Sequence, residues 1–419
     1  MLDESTSHYR EIIDEAARLM SIYFQQAIHF SKVVQLSEPD RRNIILRLLI
    51  DNPTTHMPQS LILKKTSIDK RSFDVAANDE TEIEQLSRFA HDWAGLEFLT
   101  SIKSTHGPHF YVGSLAHKFI LIEDLGLDHP SLVGPLTRPS SVENIQKAEM
   151  ALIAYVRRVG KMHADTLGKA NQFTSILNKI YPRALRYNFI SETNGLEVLS
   201  QLRLLTGDNS HELGNEIKDV LEFSKTPGDF NVYLHGDICP DNVYFQGNEI
   251  RLIDFEFGDY GHALIDGVYL RMSMPSCWCS KAVPDNVLQR MEAIYRDELK
   301  QRLDLAADDS FYNKQLVYAC AYWIIRALQS LHKINLIDNE WICPSGPVDP
   351  DSTWVPKENA FRPRILSRLA TFIACAKSTG HLPQLCKAST QLLSHLKKIW
   401  PEAQNIDVFP VFSKENVNE

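Results

Sequence analysis

Between His235 and Glu256 the chain sets out an imidazole, several acids and an amide in an order that suits one kind of chemistry. The stretch reads HGDICPDN over 235–242, and LIDFE follows over 252–256. Asp237 is thus followed by Asn242, and Asp254 closes the next strand-like run. Moving a phosphoryl group requires a carboxylate at the acceptor hydroxyl and hard oxygen ligands for Mg2+ on the nucleotide phosphates. Asp237 can supply the first, and Asn242 with Asp254 the second. Val243 to Phe245 and Glu249 to Ile253 flank the hairpin signal Gln246-Gly247-Asn248, which doubles the chain back so that distant groups can face one metal site. Asp, Asn and Gly also serve as plain turn and cap residues. An ordered, spaced set in a consistent context outweighs that reading.

These motifs resemble those of the aminoglycoside phosphotransferases and their choline-kinase-like relatives, which share the protein-kinase fold. The resemblance spans most of the chain and is sharp from Tyr233 to Asp266. It implies an α+β, two-lobed protein-kinase-like fold, with a small mixed β-sheet lobe and a larger, mainly helical lobe. It implies ATP and Mg2+ as cofactors, Asp237 as catalytic base, Asn242 and Asp254 as metal ligands, and His235 as a support of the catalytic loop. Asp266 resembles the buried Asp that braces that loop from the next helix. Relatives phosphorylate aminoglycosides, choline, ethanolamine, homoserine and sugars, so the partner implied is a small molecule with a hydroxyl acceptor.

The same resemblance asks for a strand lysine that contacts the nucleotide phosphates and a helix acid that holds it. Lys64, in Ser60-Leu61-Ile62-Leu63-Lys64-Lys65, is the expected lysine, and Lys65 points to the opposite face by two-residue alternation. Asp92 aligns with the helix acid, with Glu97 as the alternative. Glu123-Asp124-Leu125 resembles the hinge whose backbone reads adenine, which makes Glu123 and Leu125 candidate cofactor contacts. The phosphate-covering loop departs from the pattern, since LSEPDRRN over 36–43 contains no glycine. Ser37 and Asn43 could donate to phosphate there, although a simple turn accounts for each. That departure motivates a competing reading, a catalytically silent nucleotide-binding or scaffold protein of the same fold.

The elements that must position these groups follow from periodicity. Apolar residues from Tyr9 to Ile28 recur at helical spacing. Val33 to Leu36, Ile44 to Leu49 and Ser60 to Lys65 read as strands of a small antiparallel sheet; Glu82 to Leu99 reads as helix and Lys118 to Glu123 as a further strand. The loop after that strand is the expected boundary between a nucleotide-binding lobe, 1–126, and a helical lobe, 127–419. A capping box of Ser140 and Glu143 opens a helix to His163. Further helices are expected at Val287 to Leu303, Phe311 to Ile334, Pro363 to Lys377 and Gln384 to Trp400.

Composition narrows the classes. The 419 residues exceed what one core usually holds, and 44% hydrophobic with 23% charged residues is globular composition. A net charge of −9 argues against nucleic acid as a main partner. The run from Val317 to Ile325 is stopped by Arg326, too short to span a membrane. Seven cysteines do not resemble a disulfide framework, and no secretory segment is evident, so a cytoplasmic location is expected. Cys277 and Cys279 lack a second Cys/His pair at zinc spacing and read as buried packing residues. His163 reads as a structural histidine, and Tyr322 and Trp323 as core.

Overall fold

A computed structural model describes residues 9–37, 43–66, 79–126, 130–188, 190–246, 249–329 and 360–413. Most of the loop over 36–43, the turn Gly247-Asn248 and the end of the helix expected to reach Ile334 lie outside the described residues. Mixed α+β structure is divided as expected, into a small antiparallel sheet and a larger set of helices.

The first compact unit takes in residues 1–129, 171–186 and 251–258. Five antiparallel strands, β1 (Phe30–Gln35), β2 (Asn43–Ile50), β3 (Ser60–Thr66), β4 (Phe110–Ser114) and β5 (Phe119–Glu123), pair in the order β1-β2-β3-β5-β4. β4 is absent from the sequence expectations; its centre is Tyr111, Val112 and Gly113, which carry no clean alternation. Leu46, Leu48, Leu61, Leu63, Phe119 and Leu121 alternate along β2, β3 and β5 and form one core with Ile13, Ala16 and Met20 of the Arg10–Phe24 helix. Alternation then turns Lys64 toward the opposite face. There the Asp79–Ser101 helix packs, so closely that a Cβ at Gly113 would lie 2.5 Å from the Trp93 ring.

Two segments beyond the expected boundary at residue 126 join this unit because the helix carrying Asp92 needs them. His91 is fully buried, its ring nitrogens 2.6 Å from the Gly258 carbonyl and 2.7 Å from that of Leu185. Phe173 packs against both His91 and Phe98. Sequence adjacency carries no trace of such contacts.

The second unit comprises 130–170, 187–250 and 259–419. Its longest helix, Val142–Thr166, is capped by Ser141, whose hydroxyl accepts the Asn144 N–H at 3.1 Å. The cap expected at Ser140 is therefore displaced by one residue; Ser140 is buried instead. Helix Asp285–Lys300 packs on Val142–Thr166, and a Cβ at Gly160 would meet the Tyr295 carbonyl at 2.9 Å. Helices Glu192–Thr206, His211–Lys225, Asp309–Leu328, Phe361–Thr379 and Pro383–Ile399 build the rest. Two short sheets interrupt them: β6 (Asn231–Leu234) with β9 (Asp259–His262), and β7 (Val243–Gln246) with β8 (Glu249–Leu252). No described helix is long and apolar enough to cross a membrane.

At the end of β5, Asp124 gathers partners from three places. Arg47 on β2 donates to it at 2.7 Å, Ser60 on β3 at 2.5 Å and the Gly126 N–H at 2.9 Å. Burial alone would push this carboxyl up, but the hydrogen bonds from Arg47, Ser60 and Gly126 outweigh it and hold the pKa below the usual range. A depressed folded-state pKa contributes stability that is present above the unfolded value of about 3.9 and is lost as pH falls through the folded one. Asp124→Asn is therefore expected to lower urea-unfolding stability by about 1–3 kcal/mol at neutral pH, with the gap to wild type closing below pH ~3.9. A gap that persists unchanged at low pH would show that the charge is not what holds this end of β5.

Candidate active site

In the first unit, the Lys64 side chain lies between two carboxylates. Its Nζ is 2.8 Å from Asp92 Oδ2 and 2.5 Å from Asp254 Oδ1. Burial alone would discharge this lysine, but the charges of Asp254, Asp92 and Glu256 hold its pKa above the ordinary value, so it stays an ammonium. Burial pushes the Asp92 carboxyl up, Lys64 countering and the charge of Asp254 adding to the rise. Asp92 also accepts the Phe255 N–H at 2.9 Å through its other oxygen. That bond fixes the backbone next to Asp254, a non-glycine residue held at φ 67°. Glu97 is turned elsewhere, accepting the Trp93 indole N–H at 2.8 Å. Lys65, by contrast, has its pKa lowered by burial and by the charge of Lys118.

Glu123 ends β5, its N–H bonded to the His109 carbonyl at 2.8 Å and its carboxylate accepting the His109 N–H at 3.1 Å. Leu125 is buried just beyond. Ser37 accepts the Ile45 N–H at 3.1 Å, and Asn43 accepts the Thr66 hydroxyl across the β2–β3 pair at 3.4 Å.

In the second unit, the loop after β6 begins at Gly236, whose φ of 78° admits the turn. Asp266 accepts the His235 N–H at 2.8 Å and lies 3.5 Å from the fully buried His163, which in turn meets the Tyr295 hydroxyl at 2.8 Å. The His235 ring is fully buried, and its Nδ1 accepts the Asp237 N–H at 3.4 Å. Tyr155 donates to the Ile238 carbonyl at 2.9 Å. Asn242 donates its amide N–H to the Asp237 carbonyl at 2.9 Å, which leaves the amide oxygen as its cation-binding atom. In the first unit, the partly exposed carboxylate of Asp254 is likewise a hard oxygen donor, the kind that suits Mg2+.

The Asp237 carboxylate itself receives two hydroxyls that the sequence did not announce. Ser276 donates to Oδ1 at 2.6 Å, and the Tyr269 hydroxyl, 3.4 Å from Oδ1 and 2.8 Å from the Ser276 oxygen, gives its single proton to one or the other. Burial and the Asp237 charge push the Tyr269 phenol well up, so it stays a neutral donor. Tyr269 lies in the turn that follows the short helix Leu264–Gly267, where no helical spacing from Asp266 marks it. Ser276 lies in no recognisable motif.

One cysteine expectation is corrected: Cys239 and Cys277 are joined in a disulfide, Cα to Cα 5.2 Å. The pairing spans 38 residues, and spacing alone does not reveal such connectivity. Cys279 is buried as expected. Tyr322 and Trp323 are core, the Trp323 N–H donating to the Ile265 carbonyl at 2.8 Å.

Residues 196–305, which carry both HGDICPDN and LIDFE, match the phosphotransferase enzyme family. The match covers the part of the chain in which the motif resemblance is sharp. No curated protein matches the sequence. Among solved structures, the chain is similar to a choline/ethanolamine kinase family protein from Mesorhizobium loti, at 12% identity over 92% of this chain and 99% of that one, TM-score 0.39. It is similar to the choline kinase of Cryptosporidium parvum, at 13% identity over 88% and 93%, TM-score 0.40. A third is an amicoumacin kinase in complex with AMP-PNP and Ca2+, at 15% identity over 80% and 91%, TM-score 0.42.

The two lysines separate by stability. Removing one member of a buried ion pair leaves the other unpaired and costs about 3–5 kcal/mol, whereas a partly solvated lysine contributes about 0–1 kcal/mol. Lys64→Met is expected to show the first loss in urea unfolding, and Lys65→Met the second. Equal losses would mean that the Lys64–Asp92–Asp254 cluster does not hold in solution.

Proposed function

We propose that this chain, whose residues 196–305 match the phosphotransferase enzyme family, is an ATP- and Mg2+-dependent kinase of a small molecule with a hydroxyl acceptor. The observation that carries the reading is the Asp237 carboxylate, oriented by Ser276 and Tyr269 on a loop braced through Asp266 and Asn242. Aminoglycoside-, choline- and sugar-like alcohols are the acceptor classes to try first. A cytoplasmic location and no role for nucleic acid or membrane belong to the same reading.

Each residue has a part. Asp237 orients the acceptor hydroxyl and takes its proton as the phosphoryl group leaves ADP. His235 and Asp266 hold the loop's entry. Asn242 and Asp254 offer the oxygens that would hold Mg2+, which when bound neutralises charge on the β- and γ-phosphates. Lys64, set by Asp92, offers an ammonium to the nucleotide phosphates, while Glu123 and Leu125 flank the stretch assigned to adenine.

Metal use has a direct check. Mg2+ with a non-hydrolysable ATP analogue should raise the melting temperature, because a ligand that binds only the folded state stabilises it. Asp254→Ala should abolish most of the Mg2+-dependent part. An unaltered shift in that variant would remove Asp254 from the metal site.

The base is tested by Asp237→Asn, which keeps the side chain's shape and removes its basicity. Turnover of an established acceptor should fall by about 10²–10⁴-fold with little change in ATP affinity. A catalytically silent nucleotide-binding protein would instead bind ATP and phosphorylate none of a broad panel of alcohols, with or without the substitution. Near wild-type turnover in Asp237→Asn would refute the base assignment.

A further inference from the structure

The disulfide and the contact made by Ser276 close the same junction from two sides. Cys239 lies two residues after Asp237, and Cys277 follows directly on Ser276, the residue that donates to Asp237 at 2.6 Å. A covalent bond between those cysteines therefore ties the loop bearing the carboxylate to the segment bearing its hydroxyl partner. That segment is itself anchored: Arg364 donates to the Cys277 carbonyl and Arg368 to the Pro275 carbonyl at 2.9 Å, both arginines buried. Between the two half-cystines' neighbours, Trp278 donates its indole N–H to Asp241 at 2.8 Å, so the segment grips the loop on its far side as well.

A third sulfur belongs to the same place. Cys279 Sγ lies 3.0 Å from Cys277 Sγ, and the sulfurs of Cys239, Cys277 and Cys279 all lie within 4.8 Å of one another, buried. A structural cross-link needs two sulfurs. A reduced sulfur in contact with a disulfide is the arrangement from which exchange proceeds.

We propose that Cys239, Cys277 and Cys279 form a thiol–disulfide exchange site whose Cys239–Cys277 state holds the Asp237 loop in its working position. The proposal rests on the kinase reading for its effect on turnover. In the exchange, the Cys279 thiolate attacks Cys277 Sγ, a Cys277–Cys279 bond forms as the Cys239–Cys277 bond breaks, and Cys239 leaves as a thiolate that takes up the proton Cys279 gave. No electrons are gained or lost. A small dithiol instead donates two electrons and two protons, opens the cross-link and is itself oxidised to a cyclic disulfide. Burial keeps the proton on Cys279, its pKa raised well above the usual value, so the resting state retains the bond to Cys239. Either route releases the loop from a covalent hold and leaves Asp237 positioned by hydrogen bonds alone.

The test joins three measurements on the full-length protein purified without reductant. Acid quenching, alkylation and peptide mass mapping should find Cys239 linked to Cys277, and dithiothreitol should release two further titratable thiols. Hydrogen exchange should then quicken in peptides covering 235–243, a readout that needs no acceptor and stands even if the kinase reading fails. With an established acceptor, opening the bond should lower kcat by about 10- to 100-fold, the scale of losing orientation, with KM for ATP unchanged. Cys239→Ser should match the reduced protein in loop exchange and kcat, and dithiothreitol should change neither further. Cys279→Ser should keep the cross-link while abolishing any Cys277–Cys279 peptide formed on incubation. The proposal is overturned if Cys239 and Cys277 alkylate in the untreated protein, for instance with stoichiometric zinc released. It is equally overturned if opening the bond leaves both loop exchange and kcat unchanged.

Discussion

A buried carboxylate that accepts a backbone N–H is the device on which the candidate residues of each unit depend. A carboxylate cannot remain ionised in an apolar interior without donors, so wherever one is buried the neighbouring backbone is fixed to meet it. Asp266 fixes the N–H of His235, at the entry to the loop that carries Asp237. Asp92 fixes the N–H of Phe255, directly after Asp254. Asp124 does the same for Gly126 at the end of β5. In each case a residue outside the proposed chemistry sets the backbone from which the chemistry projects.

That division explains what the sequence could and could not disclose. The motif residues His235, Asp237, Asn242, Asp254 and Asp266 were visible because their order along the chain is itself the constraint. Lys64 follows from the resemblance, with alternation putting Lys65 on the other face, and the structure shows Leu61 and Leu63 in the core on the face away from Lys64. Choosing Asp92 over Glu97 as its partner needed distance, because both lie on one helix and either charge would suit. Ser276 and Tyr269 were invisible for a different reason. Hydroxyls that orient a carboxylate need no fixed spacing from it, and Ser276 reaches Asp237 across 39 residues.

The fold shows the same contrast. Long elements such as Asp309–Leu328 and Phe361–Thr379 lie close to where the sequence expects them, because an apolar stretch of helix length, buried on nearly every side, is marked by its extent and composition. β4 escaped because Gly113 stands where a side chain would alternate, and the close approach of Trp93 explains the glycine. The segments over 171–186 and 251–258 escaped as parts of the first unit because what draws them in is tertiary, two carbonyls around His91 and a ring against Phe98. The disulfide escaped for a kindred reason: one half-cystine lies inside the motif read for catalysis and the other in a segment with no motif.

Asp254 brings these threads to one residue. A non-glycine side chain at φ 67° carries a conformational cost of about 1–3 kcal/mol, which glycine would relieve. Glycine would also delete the carboxylate that shares Lys64 with Asp92, and the remaining pair would lose half of its charge balance. The strain is sustained because it is over-determined: Asp92 holds the following N–H, Lys64 holds the carboxylate, and the Leu252 N–H is tied to the His106 carbonyl at 2.7 Å on the strand before. A turn that served only to reverse the chain would have no use for this acid. The acid in this strained backbone is compensated by a lysine already in place, so strain, charge and backbone are fixed together at one position.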